Sequence, residues 1–242
     1  MSQVKLGDKN IPFIYQGNEL LYPNPVKDGL VLWYDFKGMK NSDTTKGVAK
    51  DLSGNGNDGA LQNFAYTNES GYNNGLKFDN VDDDLSTDTF LGKSFTLTMT
   101  LEMDFTENVQ FFAGFNHQSF YMRRNYNALH CSVYTNKQVS GTSGGNILFH
   151  EMQQNNQSKV VITMTLDDNT KTLKLYGNEE LLSTVDTEVS IIQEVSLTKL
   201  GKWVAGSTNL TGKILSTKAY NRALTDQEIQ HNYKLEKERW GL

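Results

Sequence analysis

Phe95-Thr96-Leu97-Thr98-Met99-Thr100-Leu101-Glu102-Met103-Asp104-Phe105 alternates apolar and polar residues without a break. Phe95, Leu97, Met99, Leu101, Met103 and Phe105 share one parity, while the threonines, Glu102 and Asp104 share the other. Successive side chains of an extended chain point to opposite faces, so this period of two predicts a long strand with one face in a core and the other in solvent. Threonine and the large apolar residues also favour the pleated conformation.

Further strands are expected on the C-terminal side of this stretch at 110–115, 119–124 and 128–134. Residues 135–146, rich in Thr, Asn, Ser and Gly, read as a loop. Residues 159–166, 172–176 and 180–185 read as a meander, with turns at Asp167-Asp168-Asn169 and Gly177-Asn178. A last strand is expected over 212–220. On the N-terminal side, Gly29-Leu30-Val31-Leu32-Trp33-Tyr34-Asp35-Phe36 is a dense strand. Asp51-Leu52-Ser53-Gly54-Asn55-Gly56-Asn57-Asp58-Gly59 is a loop, because Asn and Gly tolerate the left-handed backbone of a tight path. Leu76-Lys77-Phe78 and Asp84-Leu85-Ser86 read as short strands.

One helix is signalled. Thr225-Asp226-Gln227-Glu228 has the spacing of a capping box, and Ile229 and Tyr233 continue a helical face to about Arg239. Many short strands, frequent turns and little helix define an all-β antiparallel sandwich over residues 25–242, with nothing resembling βαβ alternation.

Residues 1–24 stand apart. Ile11-Pro12-Phe13-Ile14-Tyr15, a Gln16-Gly17-Asn18 turn and Glu19-Leu20-Leu21-Tyr22 read as a hairpin ending at Pro23-Asn24-Pro25. A lone two-stranded hairpin is marginal in water, so this one needs something to pack on. Either Ile11, Phe13, Tyr15, Leu20 and Tyr22 dock on a partner, or the hairpin adds a strand pair to the sandwich.

Composition excludes several classes of function. The chain has 242 residues and a formal charge of −5 with both signs interspersed, so there is no basic stripe for nucleic acid. No apolar run approaches the roughly 20 residues of a membrane span. Cys131 is the only cysteine, which excludes an intrachain disulfide and cysteine-based zinc sites. Met1-Ser2-Gln3-Val4-Lys5 lacks the pattern of a secretory signal, so folding in a cytosol is expected.

Two sites are suggested by residue chemistry. Calcium takes six to eight hard oxygen ligands, and two acidic loops offer Asp51 and Asn57 on one side and Asp79, Asp82 and Asp83 on the other. The alternative is that these residues are turn formers bonded to their own backbone. A sugar site needs an aromatic ring beside amides and charged hydrogen-bonding groups. The segment Phe115-Asn116-His117-Gln118-Ser119-Phe120-Tyr121-Met122-Arg123-Arg124-Asn125-Tyr126 offers Asn116, Gln118, Tyr121, Arg123, Arg124 and Tyr126 for a glycan. The alternative is a strand whose Phe120 and Met122 are core while Tyr121 and Arg123 are ordinary surface. His117, His130, His150 and His231 share no metal-ligand spacing. Gly54-Asn55-Gly56-Asn57-Asp58-Gly59 spells a dinucleotide fingerprint, but no βαβ unit surrounds it.

The segments 29–36, 51–59 and Leu76-Lys77-Phe78-Asp79-Asn80-Val81-Asp82-Asp83 resemble successive motifs of the laminin-G-like, concanavalin A-like lectin/glucanase jelly-roll superfamily. Asn80 stands where that pattern usually has Gly, and Asn also accepts positive φ. Leu210-Thr211-Gly212-Lys213-Ile214 and Ala219-Tyr220-Asn221-Arg222-Ala223-Leu224, followed by the capping box, look like the closing strand and terminal helix of the same family. The resemblance implies a jelly-roll fold over residues 29–242 and a structural calcium, and it leaves the ligand open.

Glu236-Lys237-Glu238-Arg239-Trp240-Gly241-Leu242 further resembles domains of structural proteins of tailed phages of Gram-positive bacteria, and Lys5-Leu6-Gly7-Asp8-Lys9 resembles leaders of tail, baseplate or fibre proteins. This implies a non-enzymatic virion component (fibre, baseplate or head decoration) that assists adsorption to a cell-wall or surface glycan. Its arm would dock on other virion proteins or on sister subunits of a homo-oligomer. A carbohydrate-binding module outside a virion is the alternative. A third reading is a hydrolase, because Glu102-Met103-Asp104-Phe105-Thr106-Glu107 matches the E-x-D-x-x-E pattern of laminarinase-type enzymes on this fold. That pattern implies Glu102 as nucleophile, Asp104 as its helper and Glu107 as acid/base.

Overall fold

In a computed structural model of the chain, the alternating stretch forms the strand Phe95–Met103 inside a sheet. The structure describes residues 5–7, 9–10, 14–16, 19–22, 24–135, 138–142, 148–188, 190–191, 193–206 and 208–242. Phe95–Met103 pairs antiparallel with Lys159–Asp167 on one side and with Thr211–Tyr220 on the other. The meander extends the first edge through Thr172–Gly177 to Glu180–Asp186. Thr211–Tyr220 divides its far edge between two strands: residues 211–214 pair with Leu76–Asp79, and residues 216–220 pair with Leu30–Asp35.

A second sheet lies against this one. Its order is Gln138–Thr142, Ala128–Tyr134, Tyr121–Asn125, Val109–Phe115, Val195–Leu200, Asp84–Gly92, Gly59–Gln62 and Val48–Ala49. Leu97, Met99 and Leu101 from the first sheet share a single core cluster with Phe112, Met122, Leu129, Cys131 and Leu197 from the second, all of them fully buried. Each such side chain contributes roughly 1.5–3 kcal/mol when removed from water, so this shared layer holds the two sheets together. The observed class is therefore the antiparallel sandwich expected from the alternation.

The threonine face differs from the expectation. Thr96, Thr98 and Thr100 are buried as completely as the leucines opposite them. Helix α2, Asp226–Trp240, crosses the outer face of the first sheet over Thr100, and the segment leading into it covers Thr96, whose hydroxyl donates to the Arg222 carbonyl and accepts from the Leu224 N–H. The Thr225 side chain accepts from the Glu228 N–H, Glu228 reaches back to the Thr225 N–H, and Gly241 closes the helix at φ 66°. Ile229 packs with Trp33, Tyr176, Tyr220 and Leu224. Beneath the helix the Glu236 carboxylate accepts from Thr100 at 2.7 Å and from Ser216 at 2.6 Å, and pairs with the Lys218 ammonium. Arg239 pairs with Asp35 in the same layer. A hydroxyl suits either water or a buried acceptor, so the polar parity of this strand did not reveal the helix above it.

Two further differences concern short elements. Gln138–Thr142 is an edge strand within the segment expected to be loop, and Leu148–Gln154 forms a helix, α1, that was not expected. At the N-terminus Lys5–Leu6 pairs with Lys9–Asn10, and Ile14–Gln16 pairs with Glu19–Tyr22. Among the described residues these strands pair with no others. Tyr15, Leu20 and Tyr22 fall on the second pair, whereas Ile11 and Phe13 lie outside the described residues. The chain then passes α2, where His231 donates to the Asn24 carbonyl and the Val26 N–H donates to Asn232. No helix among the described residues is long and apolar enough to cross a membrane.

Candidate functional site

With α2 on one outer face, the other broad face belongs to the second sheet. Three of its strands run side by side: Phe111 lies opposite Arg123, which lies opposite His130, and Gly114 lies opposite Tyr121, which lies opposite Ser132. Their neighbours Phe112, Met122 and Cys131 belong to the core, so alternation turns Phe111, Arg123, Tyr121 and His130 outward.

Gly114 shapes what covers this face. A Cβ at that position would lie 2.7 Å from Val204 Cγ1 and 3.3 Å from the Lys202 carbonyl oxygen, so only a glycine lets the loop after Val195–Leu200 fold onto the sheet. The loop is closed by a bridge between Lys202 and Asn209 and by the Trp203 N–H donating to Thr208 at 3.2 Å. Trp203 is thereby laid on Phe111, with ring centroids 5.2 Å apart and planes 15° from parallel. Its indole N–H donates to the Gln118 carbonyl at 3.4 Å, and the Gly206 backbone abuts the ring. Trp203 keeps part of its surface in solvent.

The Tyr121 ring meets Phe111 edge-on at 5.4 Å. The Arg123 guanidinium lies 5.3 Å from the Phe111 centroid and 5.0 Å from that of Tyr121, a cation–π arrangement. Arg123 Nε donates to His130 Nδ1 at 3.2 Å. Burial, helped by the Arg123 charge, pushes the His130 imidazole down to about 4, so it is neutral at pH 7 and can accept this bond. The terminal nitrogens of Arg123 have no protein partner among the described residues, and no carboxylate pairs with it. Beside the Trp203 loop lies an open depression of about 610 Å³, lined in part by Asn116, Gln118, Lys199, Val204 and Ala205.

The residues expected to bind glycan are thus divided. Tyr121 and Arg123 pack against the Phe111 ring on which Trp203 stacks, and the Gln118 carbonyl accepts from the Trp203 indole. Asn116 is exposed, but its amide is committed to backbone, donating to the Glu194 carbonyl and accepting from the Ser196 N–H. Arg124 points into the sandwich: it donates to the Glu107 and Tyr126 carbonyls and lies 5.0 Å from the Phe105 ring, so it does not belong to the outer face. Tyr126 is exposed at the turn beyond Asn125 with φ 54°, five residues and so roughly 16 Å along the chain from Tyr121 at about 3.3 Å per residue. Sequence reasoning missed Phe111, His130 and Trp203. The Trp203 segment, bounded by Gly201 and Gly206, carried a loop signal that could have been noticed.

The expected calcium ligands are divided as well. Both oxygens of Asp51 are used within its own loop, accepting from the Trp33, Ser53 and Asn57 N–H groups and from the Ser53 hydroxyl. Asn57 donates to the Val31 carbonyl. This loop precedes Gly59–Gln62, while the Asn63 amide just past that strand holds the Asp82 carbonyl, so the strand separates the two acidic loops. Only Asp79, Asp82 and Asp83 converge, with ligand oxygens within 4.8 Å of one another. Asp83 there accepts from the Ser70 hydroxyl and the Asp79 N–H, and burial pushes its carboxyl up to about 6. Three carboxylates fall short of a calcium shell, so water or backbone oxygens would have to complete one.

Glu102 and Asp104 of the E-x-D-x-x-E stretch have other partners. The strand ends at Met103. Glu102 is paired with Lys213 at 2.9 Å, and Asp104 accepts from the Thr106 N–H two residues on, as in an ordinary turn.

No protein-family model matches the sequence, and no curated protein sequence matches it. Solved structures do match the fold. The receptor binding domain of botulinum neurotoxin C/D mosaic serotype aligns at 13% identity and TM-score 0.64, over 86% of this chain and 52% of that one. The botulinum neurotoxin serotype D ligand binding domain in complex with N-acetylneuraminic acid aligns at 14% identity and TM-score 0.60, over 86% and 51%. Trypanosoma rangeli sialidase in complex with sialic acid aligns at 17% identity and TM-score 0.59, over 86% and 33%. The chain therefore spans about half the length of the neurotoxin domains and a third of the sialidase. At these identities the likeness establishes the β-sandwich fold.

Proposed function

We propose that this chain is a non-enzymatic, lectin-like attachment module that binds glycan on the outer face of its second sheet. The observation that carries the reading is the group formed by Trp203, Phe111, Tyr121 and Arg123. It joins the partly exposed Trp203 ring, backed by the buried Phe111 and Tyr121, to the terminal nitrogens of Arg123, which have no partner among the described residues, the combination that sugar recognition uses. The sugar-bound neurotoxin and sialidase structures of similar fold support this reading by analogy. The turn at 104–107 and the ion-paired Glu102 give the hydrolase reading no geometric support.

The particle we place it on is a phage virion, as a fibre, baseplate or head-decoration component, with residues 1–24 docking it to other virion proteins or to sister subunits. The resemblance of residues 236–242 and 5–9 to phage structural proteins supports this, as does an N-terminal hairpin whose described residues pair with no sandwich strand. Two experiments test the reading. Titration calorimetry against cell-wall and surface glycans should give binding that Trp203→Ala weakens by about tenfold or more, as loss of an aromatic anchor does. Retained affinity in that variant would remove the site. Mass spectrometry of purified particles should find the chain, and its absence there would leave a free carbohydrate-binding module.

A further inference from the structure

We infer that the outer-face site selects acidic saccharides, with Arg123 as the group that reads a sugar carboxylate. This rests on the reading of that face as a sugar site and adds the class of sugar.

The argument starts from the state of Arg123. The chain carries 28 acidic and 23 basic residues, so carboxylates are in excess. Lys199 on the same sheet is held by Asp84, Lys213 by Glu102 and Arg222 by Glu228. Arg123 has no such partner. Among the described residues its only side-chain hydrogen bond runs through Nε to a histidine that burial keeps neutral, so no described carboxylate compensates its positive charge.

The side chain is also fixed in advance. The His130 bond and the Phe111 and Tyr121 rings hold the guanidinium plane, and both terminal nitrogens are without a protein partner among the described residues. A planar fork held this way presents two parallel N–H donors, the geometry that a carboxylate accepts in bidentate fashion, and it loses little conformational freedom on binding. A neutral sugar would gain one or two ordinary hydrogen bonds from the same group. Trp203, stacked on the same Phe111 ring, keeps part of its surface in solvent and supplies apolar contact for the pyranose ring that bears the acid. A sialic or uronic acid combines both features in one residue.

The test compares matched pairs by calorimetry: lactose against sialyllactose, and a glucose-terminated against a glucuronate-terminated disaccharide. The acidic member of each pair should bind about ten- to a hundredfold more tightly, the range expected for hydrogen bonds to a charged group. The preference should shrink as salt is raised, because the attraction is between partly exposed charges. Arg123→Gln should abolish the preference, and Arg123→Lys should retain only part of it because a point charge replaces the fork. Thermal melts of both variants check that they fold, and the wild-type pairs give an answer without any variant. Equal binding of neutral and acidic members overturns the selection for acid while leaving a lectin. A preference that survives Arg123→Gln overturns the role of Arg123. Binding of none of the four sugars at millimolar concentration overturns the sugar site and this inference together.

Discussion

Replacing Glu236 by glutamine should unlatch the terminal helix. Glu236 and Lys218 are both buried, and among the described residues the carboxylate is the one counter-charge paired with the Lys218 ammonium. Burial pushes the Glu236 carboxyl up, but Lys218 and the Ser216 and Thr100 hydroxyls outweigh it and hold it below its ordinary value of 4.5. Glutamine preserves the shape and an acceptor for the hydroxyls, yet leaves an ammonium in a dry layer without compensation. Removing one member of a buried pair costs about 3–5 kcal/mol. For a chain of this size each kcal/mol lowers Tm by about 2–4 °C, so a fall of roughly 6–20 °C is expected by calorimetry. Removing both charges in Lys218→Met/Glu236→Leu should recover most of the loss, since well-packed apolar pairs replace buried ion pairs at little cost. The pH dependence follows from the sign. A depressed carboxyl adds stability above its unfolded value and loses it as pH falls through the folded one, so wild type should weaken below about pH 4.5 and Glu236→Gln should not show that limb. A loss under about 1 kcal/mol, or a double variant no better than the summed singles, would refute the argument that the helix seals a charged layer.

Three further outcomes are expected. Gly114→Ala drives a methyl toward Val204 and the Lys202 carbonyl, so it should cost about 1–3 kcal/mol in urea denaturation and abolish glycan binding while the far-ultraviolet spectrum is retained. Asp83, pushed up to about 6 by burial, takes up a proton on folding. Its contribution is therefore fully present below about pH 4 and lost as pH rises through 6, by at most about 3 kcal/mol, and Asp83→Asn should flatten urea-derived stability across that window. The same melts repeated in millimolar calcium test the ion directly, since a rise in Tm absent from Asp83→Asn would assign it to this cluster. Deleting residues 1–24 should turn an assembled chain into a folded monomer by light scattering, whereas an unfolded product would mean that the hairpin belongs to the sandwich.

The fold was legible where one physical signal dominated. Strict alternation over 95–105 located the central strand to within two residues, and the Thr225–Glu228 spacing located the start of α2. The edge strand Gln138–Thr142 could not be read, because a strand of mostly polar residues lacks an apolar parity. Val195–Leu200 alternates only over its first four residues and breaks parity at Lys199-Leu200, which is short evidence between polar segments. The site was only partly legible for a different reason. Tyr121 and Arg123 lie on one strand, and local pattern singled them out. Phe111, His130 and Trp203 come from three other segments, and the register and one glycine bring them together. Arg124 shows the limit of reading neighbours as a cluster, since adjacent residues of a strand face opposite ways.

The placement of the tryptophans has a spectroscopic consequence. Trp33 and Trp240 are buried within the layer sealed by α2, whereas Trp203 is half-buried at the candidate site. The intrinsic fluorescence of the unlabelled protein should therefore contain two separable signals. A dynamic quencher such as acrylamide reaches mainly the Trp203 fraction, and a sugar bound there would shield it. Red shift of the remaining, protected emission would report the undocking of the helix, so occupancy and latch integrity can be followed in one cuvette.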